Sequence, residues 1–246
     1  MNMAGLLNKD VISDFENSFR TNCLVLIGEA YKWLKDTKNI TVDWNEETIS
    51  ANIFTHIDEN EKAIAWNINV SDECRLYHQA ILNNKKSAKS ASRIDLKLST
   101  NWIKATKRVC YFVEAKNLIE NNCVKQGRKT KLNAKKIQER YISTGIDHLI
   151  SGEYPPNGCM LGYIIDGTTT RIVENINEIL FQATRSNETL KKKELDIPYL
   201  EEAYISVHLN DYVLHHYFFT IFKTSKQLMT SLSATINNPH TPFPSY

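Results

Sequence analysis

The chain has 246 residues, of which 42% are hydrophobic and 24% charged, with a net charge of +2. These proportions are typical of a globular protein with one sizeable core, so they exclude a disordered or fibrous chain. Its five cysteines are scattered without CxxC spacing, which favours neither a disulfide framework nor a zinc site. No apolar stretch is long enough to span a bilayer, so we expect a cytoplasmic protein with no membrane partner.

The first 70 residues predict helices followed by a strand. Apolar spacing over residues 11–35 indicates one or two helices, which form an N-terminal helical extension over residues 1–40. Asp43 offers an N-cap for a second helix, with an acid three positions later. That helix continues with isoleucines at helical spacing: Ile49, Ile53 and Ile57. Alternation over residues 66–70 predicts the first strand of the core.

Two further predicted strands carry charged residues that contribute little to the stability of a strand. The apolar members of the first, over residues 92–98, alternate and should share one face: Ile94, Leu96 and Leu98. Asp95 lies between them, and the second strand, residues 111–116, carries Glu114 and Lys116. A hairpin would bring these three charges to one face. Two carboxylates that close repel each other and hold a divalent cation well, while a nearby ammonium can orient a water molecule.

The rest of the chain alternates helices and strands. Residues 135–150 have helical spacing, residues 158–166 form an apolar run typical of a buried strand, and residues 172–184 again favour a helix. A charged connection follows, and residues 204–209 predict another strand. The prolines near the end favour an extended tail over residues 237–246.

The Asp95, spacer, Glu114-Ala115-Lys116 arrangement resembles the metal-dependent PD-(D/E)xK nuclease superfamily, which includes many restriction endonucleases. Ile94 replaces the usual proline before the aspartate. The downstream order of strand, strand, helix and strand is also similar, as are the closing segments at 206–209 and 214–218. The resemblance covers roughly residues 45–222 and implies an α/β, restriction-endonuclease-like fold: a mixed central β-sheet flanked by helices, with the nuclease core at 41–236.

The resemblance also implies an activity and its residues. The expected function is Mg²⁺-dependent (or Mn²⁺-dependent) endonucleolytic cleavage of DNA by a restriction or antiphage-defence nuclease. Asp95, Glu114 and the carbonyl of Ala115 would hold the metal, and Lys116 would orient the attacking water and stabilise developing charge. The first core helix could add a carboxylate from Glu46, on the isoleucine stripe, or from Glu47 at its edge.

A basic run after the motif is a candidate nucleic-acid surface. Its members would neutralise backbone phosphates together with a cation on the first charged strand: Lys125, Arg128, Lys129, Lys131, Lys135 and Arg93. The alternative is an ordinary solvated loop and helix start.

Several alternatives stay open at this stage. Glu46 and Glu47 could serve only to stabilise the helix N-terminus. Glu114 could form a surface salt bridge with Lys116 or with Arg93. Gln138 and Tyr141 lie one helical turn apart and could support the site, although packing is the better explanation for Tyr141. The late histidines show no ligand pattern with a nearby acid and favour structural or surface roles: His208, His215 and His216. The rival functions are RNA cleavage and a non-catalytic or partner-dependent binding protein; a homodimer or a partner protein from a defence system is also compatible.

Overall fold

A seven-stranded mixed β-sheet with helices on both faces organises the molecule. The computed structural model describes residues 9–77, 79–85, 87–101, 108–125, 127–152 and 154–221. The prediction of an α/β chain with a mixed central sheet and an N-terminal helix is confirmed. The proposed 237–246 tail lies outside the described residues, and the domain boundaries stay predictions.

Three helices precede the sheet: α1 (Lys9–Thr37), α2 (Glu46–Asp58) and α3 (Glu61–Ala65). The N-terminal segment is therefore one long helix. The predicted cap of α2 is wrong, because Asn45 and not Asp43 accepts the hydrogen bond from Thr48 N. The carboxylate of Asp43 instead accepts from Gly127 N.

The remaining elements follow in chain order: β1 (Asn69–Leu76), α4 (Gln79–Leu82), β2 (Ser92–Asn101), β3 (Arg108–Ile119), β4 (Cys123–Val124), β5 (Lys131–Leu132), α5 (Ala134–Arg140), a π-helical turn (Tyr141–Ile146), α6 (Asp147–Ile150), β6 (Gly158–Asp166), α7 (Thr169–Gln182), β7 (Lys191–Lys192), β8 (Ala203–Val207) and β9 (Val213–Thr220). The predicted buried strand at 158–166 is confirmed as β6. The helix predicted for 135–150 is present, but its middle is the π-helical turn.

The strand order is β1-β2-β3-β6-β9-β8-β7. β1, β2 and β3 are antiparallel neighbours, β3, β6 and β9 run parallel, and β9, β8 and β7 are antiparallel again. β4 and β5 form a separate hairpin after β3. The parallel pairs require crossovers, which the segments containing α5–α6 and α7 provide.

The sheet separates two hydrophobic clusters. Side chains from α1–α3 pack on one face, including Ile27 and Ile49, which are fully buried. Side chains from α5, the π-helical turn and α7 pack on the other, including Ile146 and Ile172. Side chains of α1 therefore pack in the same hydrophobic cluster as side chains of the central strands. Among the described residues, none of the helices combines the length and apolar character needed to cross a membrane.

Two strand predictions are wrong in detail. The first core strand begins at Asn69, because Trp66 ends α3, with its N–H bonded to Ile64 and Lys62 carbonyls. Ile94 packs in the second cluster, whereas Leu96 and Leu98 pack in the first. Opposite this change of face, Glu73 of β1 has a φ of 42° and drops out of the β1–β2 register. A left-handed residue bends the ladder there.

Candidate active site

The predicted charged residues meet where β2 and β3 stop pairing. The β2–β3 register runs from Asn101 opposite Arg108 to Leu96 opposite Val113. One position further on, the Asp95 side chain takes part in the pairing: its Oδ2 accepts a hydrogen bond of 2.7 Å from Ala115 N. Asp95 and Glu114 are the next residues of the two strands after the last pair. They therefore come at the point where this side-chain hydrogen bond replaces strand pairing.

Lys116 completes this group, which we call the acid–lysine cluster: Asp95, Glu114, Lys116 and the Ala115 peptide. The Lys116 ammonium donates to Glu114 Oε1 at 2.5 Å and to the Ala115 carbonyl at 2.8 Å. The side chains of Glu114 and Lys116 are only 5% and 8% exposed. This is not the solvent-exposed surface ion pair considered as the alternative from sequence.

Burial dominates the electrostatics of the cluster. It raises the pKa of Asp95 to about 6 and the pKa of Glu114 to about 8, against the opposing attraction of Lys116. The charge of Asp95 raises the pKa of Glu114 further. Burial alone would lower the pKa of Lys116, but the carboxylates around it, with Glu114 first, raise it. The cluster therefore contains acids that are costly to ionise and a lysine that stays protonated.

Glu46 approaches the cluster from α2. Its Oε1 lies 3.3 Å from Lys116 Nζ and its Oε2 accepts from Asn117 N at 3.1 Å. α2 delivers it there because Ile49, Ile53 and Ile57 bury one stripe of the helix completely. Glu47 is exposed, beside the same opening. Of the two predicted acids, Glu46 makes the direct contacts.

A cavity of about 220 Å³ reaches the cluster at Lys116, whereas Asp95 and Glu114 do not line it. Its polar lining combines both α2 acids with cations from β3, from the segment after β4 and from α5: Glu46, Glu47, Lys116, Lys125 and Arg140. A larger groove, about 980 Å³, includes Tyr77, Tyr154 and Tyr212 and contains none of the predicted site residues. The chemistry of the lining, rather than its size, marks the smaller cavity as the candidate site.

The predicted basic residues divide between the cavity and the surface around it. Lys125 borders the cavity and bonds the Asp43 carbonyl, while Arg128 and Lys129 are exposed in the turn that joins β4 to β5. Lys131 is exposed on β5. Two others lie elsewhere. Lys135 borders a separate depression with Gln138, and Arg93 pairs with Glu73 at 3.0 Å.

The two residues predicted to support the site are engaged in other contacts. Gln138 is 2% exposed and donates its amide to the Ile119 carbonyl at the end of β3. Tyr141 is fully buried, and its hydroxyl lies 2.8 Å from His216 Nδ1. Both side chains stabilise the packing of the helix against the sheet. A supporting role at the site stays a prediction.

Tyr141 begins a second buried polar group, which we call the histidine chain. Its hydrogen-bonded members come from five parts of the fold: Tyr141, His216, Ser206, His208 and Glu188. The Ser206 hydroxyl lies 2.8 Å from His216 and 2.7 Å from His208, whose other nitrogen lies 2.6 Å from Glu188. Serine, histidine and glutamate here have the contacts of a nucleophilic triad. Ser206 is only 1% exposed, so the group has a structural role.

The acid–lysine cluster has the donor atoms for a divalent cation. Among the described residues, no group of three or more His, Cys, Asp or Glu side chains could hold a metal by itself. Mg²⁺, however, is usually bound through one or two carboxylates and keeps several waters. Asp95, Glu114 and the Ala115 carbonyl match that donor set. Glu114 Oε2 is buried with no hydrogen-bond partner in the described part of the chain, so it has an oxygen to offer.

Three residues beside the cluster did not stand out from the sequence. Asn117 bonds the Trp44 carbonyl through its amide nitrogen, while its Oδ1 is buried and unpartnered within the described ranges. Arg140 lines the cavity, and Gly145 packs beside Lys116. A polar residue just after Glu-x-Lys in an otherwise apolar strand could have pointed to Asn117. No sequence signal marks the other two.

Comparison with known proteins adds no relative to this description. No protein-family model, no curated protein and no solved structure matches the chain.

Proposed function

We propose that this protein is a Mg²⁺-dependent nuclease that cleaves phosphodiester bonds of DNA. One observation carries the proposal: a half-buried carboxylate, a buried carboxylate and a buried lysine converge on the Ala115 peptide, beside a cavity lined by both acids and cations. Taking these groups largely out of water is expensive for a fold. Such clusters of perturbed acids in a cleft occur preferentially at functional sites.

Each residue has a role that its contacts support. Asp95 and Glu114 would hold the cation, with the Ala115 carbonyl as a third oxygen. Lys116 would orient the attacking water and stabilise charge that develops on the phosphate. Glu46 is positioned to hold Lys116, or to add a carboxylate when Lys116 moves towards substrate.

A bound Mg²⁺ would supply Lewis-acid stabilisation of the phosphate and would lower the pKa of a bound water. The chain itself contributes geometry. The Asp95 carboxylate is fixed by Ala115 N, and Lys116 is fixed by Glu114 and by the Ala115 carbonyl. Holding reactants in place in this way contributes a large part of enzymatic rate acceleration.

We also propose the restriction-endonuclease-like fold as the finer description of the α/β architecture. The elements from α2 through β1, β2, β3 and α5–α6 to β6 keep the order of strand, strand, helix and strand on which the resemblance depends. The parallel β3–β6 pair then fixes the charged end of β3 in the middle of the sheet. A role in restriction or antiphage defence is the corresponding biological proposal.

The cleavage assay uses purified protein with plasmid DNA, single-stranded DNA and RNA, with Mg²⁺, Mn²⁺ or chelator. We expect metal-dependent DNA cleavage that Lys116→Ala lowers about a hundredfold or more. Metal-dependent cleavage of RNA alone would make the protein a ribonuclease. Cleavage that persists unchanged in Lys116→Ala, or no cleavage by the wild-type chain, would contradict the proposal and favour a binding or partner-dependent protein.

The basic run after the motif is tested separately from the chemistry. Replacing Lys129, Lys131 and Lys135 by alanine should weaken DNA binding and reduce its salt dependence, by about one counterion per lost phosphate contact. The matched control replaces three exposed lysines near the far edge of the sheet: Lys191, Lys192 and Lys193. Equal salt slopes in the two triple variants would assign the run to an ordinary solvated surface.

A further inference from the structure

The π-helical turn Tyr141–Ile146 lies beside Lys116. Gly145 makes this close approach possible: a Cβ added there would lie 2.4 Å from Met160 Cε and 3.9 Å from Lys116 Cγ. The turn therefore packs against Met160 of β6 and near the aliphatic stem of the lysine. A π-helical turn inside an α-helix is rare and is often found at functional sites.

The histidine chain fixes the first residue of this turn, and its hydrogen atoms can be assigned. Glu188 as a carboxylate can only accept, so His208 donates to it from Nδ1 and accepts from the Ser206 hydroxyl at Nε2. Ser206 then accepts from His216 Nε2. His216 Nδ1 is left as an acceptor for the Tyr141 hydroxyl. Every hydrogen bond in the chain is then donated in the same direction, from Tyr141 towards Glu188.

The same chain also reaches the other end of the turn. Arg185 donates to Glu188 at 2.7 Å and to Asp147, the first residue after the turn, at 2.8 Å. Tyr141 and Asp147 are thus joined through side chains of β8, β9 and the segment before β7. A hydrogen-bonded bridge of this kind opposes any shift of the turn away from the sheet.

We infer that His216 is a positioning residue, which holds the π-helical turn against Lys116 through the hydroxyl of Tyr141. Its catalytic consequence depends on the proposed nuclease function. The structural part, a turn packed on Met160 and held near the stem of Lys116, is independent of that function. Two readouts separate them: the kinetics of cleavage and the ¹³C-methyl signal of Met160, one of four methionines in the chain.

The variants differ in which bond of His216 they keep. Tyr141→Phe and His216→Gln both lose the bond to the turn, although glutamine can still reach Ser206. His216→Asn places an amide oxygen near the former Nδ1 and can still accept from Tyr141. The control is Tyr31→Phe, which removes another buried tyrosine hydrogen bond, to the Thr220 carbonyl, in the cluster on the opposite face of the sheet.

In Tyr141→Phe and His216→Gln we expect the Met160 signal to move and kcat to fall about tenfold or more, with KM little changed. His216→Asn and Tyr31→Phe should stay close to wild type in both readouts. A Met160 signal that does not move, or one that moves while kcat is kept, would overturn the inference.

If the wild-type chain cleaves nothing, the proposed function fails and the inference is decided by structure. Acylation of the buried Lys116 amine, followed by mass spectrometry, then replaces kcat. Release of the turn should speed this modification in Tyr141→Phe but not in Tyr31→Phe. Equal modification in both would overturn the inference.

Discussion

Two buried polar groups on the same sheet differ in whether all of their polar atoms have hydrogen-bond partners. In the histidine chain, each member between Tyr141 and Glu188 has a hydrogen-bond partner, and the hydrogens fall into one consistent direction. In the acid–lysine cluster, Glu114 Oε2 is buried without a partner in the described part of the chain, and both acids have raised pKa values. A fully paired polar group stabilises a fold, whereas a partly paired one costs stability.

The difference indicates what each group is for. The histidine chain needs nothing further and joins helix to sheet. The acid–lysine cluster adjoins a cavity at Lys116 and brings several carboxylate and carbonyl oxygen atoms together. A divalent cation would supply the missing partner, so the cost of the cluster is explained if the protein binds one. Functional sites commonly reduce stability in this way.

Asp95→Asn should have the largest effect on activity. The amide can still accept from Ala115 N, but it removes one of the two charges that would hold the metal. We expect cleavage to fall about a hundredfold or more, measured as initial rate on plasmid DNA with Mg²⁺. The control is Asp72→Asn, an exposed carboxylate on the neighbouring strand β1. Equal rates in the two variants would remove Asp95 from the site.

Asp95→Asn and a substitution in the histidine chain, Ser206→Ala, should change the free energy of unfolding in opposite directions. Asp95→Asn removes a buried charge that burial disfavours, so we expect the free energy of unfolding in chelator to rise by about 1 to 3 kcal/mol. Ser206→Ala leaves His208 and His216 without their shared partner and should lower it by about 1 to 3 kcal/mol. Urea unfolding monitored by circular dichroism measures both. Destabilisation by Asp95→Asn would show that the cluster is a structural ion pair.

The histidine chain also predicts a pH dependence of stability. Burial lowers the pKa of His216 to about 3, below the 6.5 expected for an unfolded histidine. Below pH 6.5 the unfolded chain takes up a proton that the folded chain cannot, so this stability is complete above pH 6.5 and is lost as the pH falls towards 3. The loss is about 1.4 kcal/mol per pH unit.

The measurement compares urea unfolding of wild type and His216→Asn at pH 7, 6 and 5. The variant lacks this titrating group, so the difference between the two free energies of unfolding should shrink as the pH falls below 6.5. Curves that stay parallel would mean that His216 takes up its proton over the same pH range in the folded and the unfolded chain, which would contradict the assigned directions of its hydrogen bonds.

Much of the sheet and the centre of the site followed from sequence periodicity. β6 has the predicted bounds because a long apolar run between turn residues leaves little choice. Asp95, Glu114 and Lys116 were expected to share one end of a hairpin, and the structure brings them around Ala115. The stripe of α2 isoleucines puts Glu46 on the face towards the sheet and Glu47 at its edge, but only the contacts in the structure choose between the two acids.

The rest depended on contacts that a local pattern does not contain. Asp43 and Asn45 are both good caps, and only the path of the chain chooses between them. Tyr141 and Gly145 fit an ordinary α-helix as well as a π-helical turn. Asp211 lies three residues from His208 in sequence, yet the fold pairs His208 with Glu188, 20 residues away. Such pairings arise from the tertiary arrangement of the strands.

Metal binding by the acid–lysine cluster is the central claim, and Mn²⁺ binding followed by electron paramagnetic resonance tests it most directly. We expect the wild-type chain to bind Mn²⁺ and expect Mg²⁺ to compete weakly for the same site. We expect the Asp95→Asn, Glu114→Gln double variant to lose Mn²⁺ binding. Lys116→Ala should bind at least as tightly as wild type, because the ammonium no longer competes for Glu114 and the Ala115 carbonyl. Mn²⁺ binding that the double variant retains in full, or no binding by the wild type, would contradict the account.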